Sequence, residues 1–181
     1  MVHYVTRYVS LRSRRPLTED AKAIRQVAYD LKIPTVEAIA LAAPLMAALL
    51  ERKPCWLIPI PSSSGSTDAN MALCRAIKFF IPEARIVVGI RRVHPVESSC
   101  ARRRRGLLGL SVNQHGFVRC CGPLLRLPVW FVDNVVTTGA TLQAAHLAFG
   151  TGGGVVYADA SSYALHRNPS RRRTAGTDRC V

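Results

Sequence analysis

The chain has 181 residues, 49% of them hydrophobic, and carries a formal net charge of +14 at pH 7. This length and apolar content predict one globular domain and exclude a disordered or fibrous protein. The charge favours partners that bear phosphate, such as nucleotides, diphosphates or nucleic acid, although a basic tail on a neutral domain would also produce it. The six cysteines form no CxxC pair, which argues against a zinc ribbon and for reduced packing residues.

Residues 1–53 predict a helical extension that packs on the core. Thr18 is placed to cap a helix over 19–32, and Thr35 begins a second helix that Pro44 is expected to interrupt. The most apolar run of the chain lies in this second helix and is shorter than the ~20 residues that span a bilayer. We therefore expect a buried helix and a soluble, cytoplasmic protein without membrane contact.

Residues 54–165 predict an α/β core. "CWLIPIP" and "ARIVVGI" are apolar runs typical of buried strands, and between them lie the loop "SSSGSTD" and a helical pattern over 69–80. Residues 91–113 are basic and their first half is low in apolar content, which predicts a long mobile lid. An edge strand and a turn at 122–123 are expected to follow.

The end of the core is predicted to contain, in chain order, the strand "VWFV", the loop "DNVVTTGA", the helix "TLQAAHLAFG" and a strand within "GGVVYADAS". Residues 166–181 predict a basic, flexible tail. Strands that alternate with helices favour a parallel sheet, whose ligands bind at the carboxyl ends of the strands. The loops over 61–68, 91–106 and 133–141 each follow a strand and should therefore converge.

The loop after "VWFV" has the composition of a site for a phosphate and a sugar. The strand delivers Asp133 to the carboxyl edge, where a carboxylate can accept hydrogen bonds from sugar hydroxyls. The following residues open a helix, whose N-terminus offers unpaired N–H groups and partial positive charge to a phosphate. Gly139 allows close approach of the backbone, and Thr137, Thr138 and Thr141 add hydroxyl donors. The alternative is an ordinary capped helix after a strand.

The same segment resembles a known family. "VWFVDNVVTTGAT" is similar to the phosphoribosyl pyrophosphate motif of type I phosphoribosyltransferases, in which apolar residues precede two acids, two apolar residues and small hydroxyl residues around a glycine. Asn134 departs from this pattern, since the family has its second acid there. "IPIPSSSGS" stands where the family has its pyrophosphate loop. "DANMALCRAI" and "SCARRRRGLLG" are similar to a helix and the hood loop of the ComF-type, competence-associated subgroup.

The resemblance implies a type I phosphoribosyltransferase fold, with a mostly parallel twisted sheet, flanking helices and a mobile hood loop. Asp133 and Asn134 would be catalytic, with Asp133 on the ribose hydroxyls. The residues that would hold 5-phosphoribosyl pyrophosphate are Thr137, Thr138, Gly139, Ala140, Thr141, Ser62, Ser63, Ser64, Arg91, Arg92, Arg103 and Arg104, the last two within the lid run 102–105. Mg²⁺ would be bound through the substrate pyrophosphate and water. The residues alone leave open a plain turn at the serines and a solvated charge run at the arginines.

Two hypotheses about function follow from the resemblance. The first is a pentosyltransferase, commonly dimeric in this family, that moves the 5-phosphoribosyl group from its pyrophosphate to an acceptor that the sequence does not identify. The second is a phosphoribosyltransferase-like regulator, effector or accessory protein that binds nucleic acid through the lid and tail, in DNA uptake or retron-type phage defence. A dinucleotide-binding enzyme is disfavoured because no GxGxxG follows the first core strand.

Asn134 bears on the choice between these hypotheses. Asn keeps the shape of Asp but lacks the charge that would stabilise a cationic sugar, and loss of one such contact lowers a rate on the order of 10²-fold. This hypothesis predicts that Asn134→Asp raises a weak activity. No histidine is assigned a role, and Trp56 and Trp130 are expected to pack in core strands.

Overall fold

The computed structural model of the protein describes residues 1–7, 17–122, 124 and 126–160, except for the side chains of Ser99, Cys100 and Arg103. The predicted tail and the expected turn residue Pro123 lie outside the described residues. In chain order the elements are β1 (Val2–Arg7), α1 (Glu19–Asp30), α2 (Val36–Leu49), β2 (Trp56–Pro59), α3 (Asp68–Phe80), β3 (Arg85–Ile86), β4 (Ile90–Arg92), α4 (Ser99–Arg104), a 3-10 turn (Asn113–His115), β5 (Phe117–Arg119), β6 (Val129–Val136), α5 (Ala140–Phe149) and β7 (Gly153–Asp159).

A parallel sheet organises the described part of the chain and confirms the predicted α/β class. Its strand order is β1-β7-β6-β2-β3, and every neighbouring pair is parallel. One core layer lies between this sheet and helices α1, α2 and α3. A second layer lies between the sheet, α5 and a small antiparallel sheet of β4 and β5. The carboxyl ends of the central strands β6 and β2 therefore lie side by side.

The N-terminal segment differs from the predicted all-helical extension. Thr18 and Thr35 do cap α1 and α2, accepting hydrogen bonds from backbone N–H groups at 3.2 Å. However, residues 2–7 form β1, an edge strand that pairs with β7. The local sequence does not indicate this strand, because its partner lies at the far end of the described chain. The predicted interruption at Pro44 was also wrong, since α2 continues through it. The carbonyl that loses its partner there belongs to Ala40, which lies on the exposed side of the helix.

The predicted strand "ARIVVGI" is divided between two sheets. Its first part is β3, which pairs with β2, and its last residue begins β4, which pairs with β5. A side chain at Gly89, between the two parts, would come within 2.8 Å of Ile58 and 2.9 Å of Phe149. The glycine thus lets the chain cross closely over the second core layer and leave the large sheet.

Two further boundaries correct the predictions. Residues 91–113 were expected to form one long loop, but they contain the end of β4, the short helix α4 and the start of the 3-10 turn. The strand "VWFV" was expected to end before Asp133, but β6 runs to Val136, since pairing with β7 continues along it. Asp133 and Asn134 therefore lie in a strand rather than in a loop. Among the described residues, no helix is both long and apolar enough to cross a bilayer.

Candidate functional site

The candidate site lies where β2 and β6 end. Asn70 of α3 joins the two strands there: its Nδ2 donates to the Ile60 carbonyl at 2.8 Å and to Asp133 Oδ1 at 3.3 Å. Asn70 is buried, so both hydrogen bonds are shielded from water. This contact places the Asp133 carboxylate beside the loop that follows β2.

Asp133 is a partly buried acid with a raised pKa. Burial raises the pKa of its carboxyl to about 6, against the hydrogen bonds from Asn134 and Asn70 and the positive charges of Lys32 and Arg92, which lower it. The backbone N–H of Asn134 donates to Oδ1 at 2.8 Å. A carboxylate with this pKa is largely ionised at pH 7.5 and can accept hydrogen bonds from hydroxyl groups.

The N-terminus of α5 is open. Gly139 occupies the N-cap position with φ +79° and supplies no side chain to cap the helix. The Ala140 N–H makes a long contact of 3.4 Å with Thr138 Oγ1, and among the described residues no group caps the N–H of Thr141. A Cβ built at Gly139 meets no atom within 4 Å, so there is open space at the start of this helix. Such a terminus can accept a phosphate.

The serine loop, residues 62–66, is a preformed turn. The Ser62 N–H donates to the Ser66 carbonyl at 2.7 Å, and the hydroxyls of Ser62 and Ser64 lie 2.9 Å apart. The Ser63 carbonyl accepts from Val96 N–H at 2.8 Å, which ties the loop to the chain after β4. Ser62 and Ser64 are exposed, so their hydroxyls are available to a ligand.

Arg92 joins the serine loop to the small sheet. Its Nε donates to the Ser62 carbonyl at 2.6 Å, and its Nη1 donates to the His115 carbonyl at 2.5 Å. The guanidinium lies 4.4 Å from the centre of the Phe117 ring. Burial and the charge of Arg92 lower the pKa of His115 to about 4, so this histidine is neutral at pH 7.5. Arg92 is therefore held near Asp133 by uncharged groups, which do not neutralise its positive charge.

The other predicted arginines are less closely tied to this site. Arg91 is exposed, and its neighbour Arg92 occupies the opposite side of β4. Arg102 donates to the Leu108 carbonyl at 2.8 Å, and Arg105 pairs with Glu97, so both stabilise the lid itself. Arg104 is exposed, and the side chain of Arg103 lies outside the described residues. None of the described contacts brings this run to Asp133.

Asn134 faces the N-terminal helices. Its Nδ2 donates to the carbonyl of Ala28, in α1, at 3.2 Å, and its Oδ1 accepts from the N–H of Val135 at 3.0 Å. Its side chain therefore holds α1 against the end of β6. The predicted catalytic pair is adjacent in sequence, but its two side chains contact different parts of the molecule.

Three residues of the site were not predicted to have a function. Asn70 lies in the helix that carries the family resemblance, and its place eleven residues after Pro59, the end of β2, is the only signal that could have found it. His115 and Lys32 lie outside every quoted motif. Both contribute through tertiary neighbours, which a single sequence does not reveal.

No protein-family model and no curated protein matches this chain. Within the described ranges, no group of three or more His, Cys, Asp or Glu side chains is arranged to hold a metal ion. Asp133 is an oxygen donor of the kind that Mg²⁺ accepts, and the remaining ligands would have to come from a bound phosphate and water.

Proposed function

We propose that the protein has a type I phosphoribosyltransferase fold, binds 5-phosphoribosyl pyrophosphate as its magnesium complex, and transfers the phosphoribosyl group to an acceptor. The observation that carries this proposal is the position of Asp133, bonded through Asn70 to the loop after β2 and followed in the chain by the open start of α5. A carboxylate, an uncapped helix start and a serine loop thus lie at one edge of the sheet, and these groups support the proposal.

Each part of the ligand has a matching group. The 5-phosphate would bind the N–H groups and hydroxyls of residues 137–141, and the ribose hydroxyls would donate to Asp133. The diphosphate would bind the serine loop, with Arg92 behind it as a fixed positive charge. The lid residues 97–108 would close over the diphosphate and exclude water.

The reaction is a displacement at the anomeric carbon. The bond between that carbon and the diphosphate oxygen breaks, and the diphosphate leaves with the electron pair. A nucleophilic atom of the acceptor forms the new bond and releases its proton to the departing diphosphate or to water. The positive charge that develops on the sugar lies near the Asp133 carboxylate. The protein contributes positioning and electrostatic stabilisation rather than a covalent intermediate.

Binding and turnover are tested separately. Calorimetry with magnesium and 5-phosphoribosyl pyrophosphate should give a saturable heat, and Asp133→Asn should weaken the binding strongly. Release of diphosphate in the presence of a panel of nucleobase and amine acceptors tests transfer. Absence of binding to any phosphorylated pentose would overturn the whole proposal, whereas binding without transfer would leave a ligand-dependent regulator.

A second candidate is binding of nucleic acid across the lid. Arg91 and Arg104 are exposed, and the net charge is +14. Contacts of this kind depend steeply on salt, because each neutralised phosphate releases counterions. Tight binding of single-stranded DNA at 50 mM salt that falls on the order of 10³-fold by 200 mM would support this candidate. Binding that is absent at low salt would remove it.

A further inference from the structure

The contact between Asn134 and Ala28 brings the N-terminal helices to the edge of the candidate site. Ala28 lies in the last turn of α1, and its carbonyl accepts from Asn134 at 3.2 Å. Lys32 follows Ala28 by four residues, and the Lys32 N–H bonds to the Tyr29 carbonyl, so the turn of the helix continues through it. Lys32 therefore lies just past the end of α1 that Asn134 contacts.

Lys32 has the properties of a ligand-binding cation. Its side chain is exposed, and within the described part of the chain its ammonium makes no hydrogen bond or ion pair. Its charge nevertheless acts on the Asp133 carboxyl, which places it within electrostatic range of the site. By contrast Lys22, in the first turn of the same helix, is held by Glu19 at 2.7 Å.

We propose that Lys32 binds the diphosphate of the ligand, and that Asn134 is the positioning residue that holds α1 so that Lys32 reaches it. This inference rests on the proposed function. The 5-phosphate is assigned to the start of α5, and the ribose hydroxyls to Asp133. The remaining anionic group of the ligand is the diphosphate, which is attached beside the 2-hydroxyl. A cation at the end of α1 that Asn134 contacts is placed to meet that group.

The experiment compares two ligands in three proteins. Magnesium with 5-phosphoribosyl pyrophosphate, and ribose 5-phosphate, are each titrated into the wild type, Lys32→Met and Lys22→Met. Lys32→Met should weaken binding of the diphosphate ligand by about tenfold or more, the effect of one lost charge-assisted hydrogen bond, and binding of ribose 5-phosphate by less than about threefold. Lys22→Met removes the same charge at the other end of α1 and should change neither affinity.

The outcomes separate the inference from the function on which it depends. If the wild type binds neither ligand, the proposed function and this inference fail together. If the wild type binds the diphosphate ligand and Lys32→Met binds it equally well, or loses both ligands to the same extent, this inference alone is overturned. Lys32 is exposed, so its replacement leaves the core intact.

A double variant tests the positioning role of Asn134. In an Asn134→Ala background α1 loses its hydrogen bond to β6, so Lys32→Met should there cost less than about threefold in affinity. A full tenfold effect of Lys32→Met in that background would show that Asn134 does not position it. Circular dichroism of the Asn134→Ala protein confirms that the comparison is made on folded material.

Discussion

Two arginines, Arg92 and Arg119, lie at opposite ends of the small sheet and are held in nearly the same way. Arg92 bonds to the carbonyls of Ser62 and His115 and lies over Phe117, and Arg119 bonds to three carbonyls, including that of Phe149, and lies 4.3 Å from the Phe149 ring. An arginine fixed on carbonyls is thus a scaffold element in both places. It does not by itself mark a functional site.

The surroundings of the two arginines differ. Arg119 lines a cavity of about 290 Å³ at the amino end of β6, and none of the residues that line it is acidic. Arg92 lies at the carboxyl end, near Asp133, and the buried Asn70 amide joins that acid to Ile60, just after β2. The start of α5 is also open at this end. The combination of acid, amide and free helix terminus, rather than the arginine, distinguishes the candidate site.

The largest effect should come from Asp133→Asn. Asn can still accept the hydrogen bonds from Asn70 and Asn134 but cannot carry a charge, so affinity for 5-phosphoribosyl pyrophosphate should fall on the order of 10²-fold.

The native state holds the Asp133 proton more tightly than the unfolded chain, so its stability falls as pH rises from about 4 to about 6. Asn removes this loss, and urea unfolding at pH 7.5 should show a gain of roughly 1–2 kcal/mol. Loss of both affinity and stability would contradict the assignment.

Replacing the two arginines sharpens the comparison directly. Arg92→Met and Arg119→Met should each lower the free energy of unfolding by about 1–3 kcal/mol, because buried carbonyls lose their partners. Affinity for the ligand should fall by about thirtyfold in Arg92→Met and by less than about threefold in Arg119→Met. Equal losses of affinity in the two variants would mean that the ligand does not bind preferentially at the carboxyl end of the sheet.

The two ends of α5 offer a matched pair of glycines. Gly139 and Gly150 have φ values of +79° and +91°, and a Cβ at either meets no atom within 4 Å. Substitution by Ala at either position should therefore lower the free energy of unfolding by about 1 kcal/mol through backbone strain. Only Gly139→Ala places a methyl group where the phosphate would bind, so only this variant should weaken ribose 5-phosphate binding, by about tenfold. Calorimetry on both proteins measures the difference.

The raised pKa of Asp133 predicts the pH dependence of binding. With a pKa of about 6, roughly one tenth of the free protein is ionised at this residue at pH 5. Affinity for ribose 5-phosphate should therefore fall about tenfold between pH 7.5 and pH 5. Asp133→Asn should lack this step. Ribose 5-phosphate changes its own charge in the same range, so phosphate binding to the wild type provides the control.

The smallest effect is expected for Asn134→Asp. A carboxylate in this position would face the Ala28 carbonyl, an acceptor, where the amide now donates. The structure therefore predicts a loss of about 1 kcal/mol in the free energy of unfolding, beside the sequence-based prediction that activity rises. Thermal unfolding and diphosphate release on the same preparation measure the two effects. Unchanged stability would mean that the contact with α1 does not contribute.

The sequence predicted more of the local structure than of the tertiary contacts. Capping threonines, the α/β alternation and the strand that ends near Asp133 follow from patterns within short windows. Strand β1 could not be predicted, because its partner β7 is distant in the chain. The direction of the Asn134 side chain could not be predicted either, since it depends on β6 continuing past Asp133 and on where α1 packs. Asn70 and His115 act through neighbours from other elements, which a motif does not encode.

The most direct test of the account follows the backbone amides at both ends of α5 while ribose 5-phosphate is added to ¹⁵N-labelled protein. The account predicts that the amide signals of Gly139, Ala140 and Thr141 shift and saturate with the ligand, while that of Gly150 stays in place. Saturable shifts confined to residues around Arg119 and Phe149, or no shifts at millimolar ligand, would contradict it.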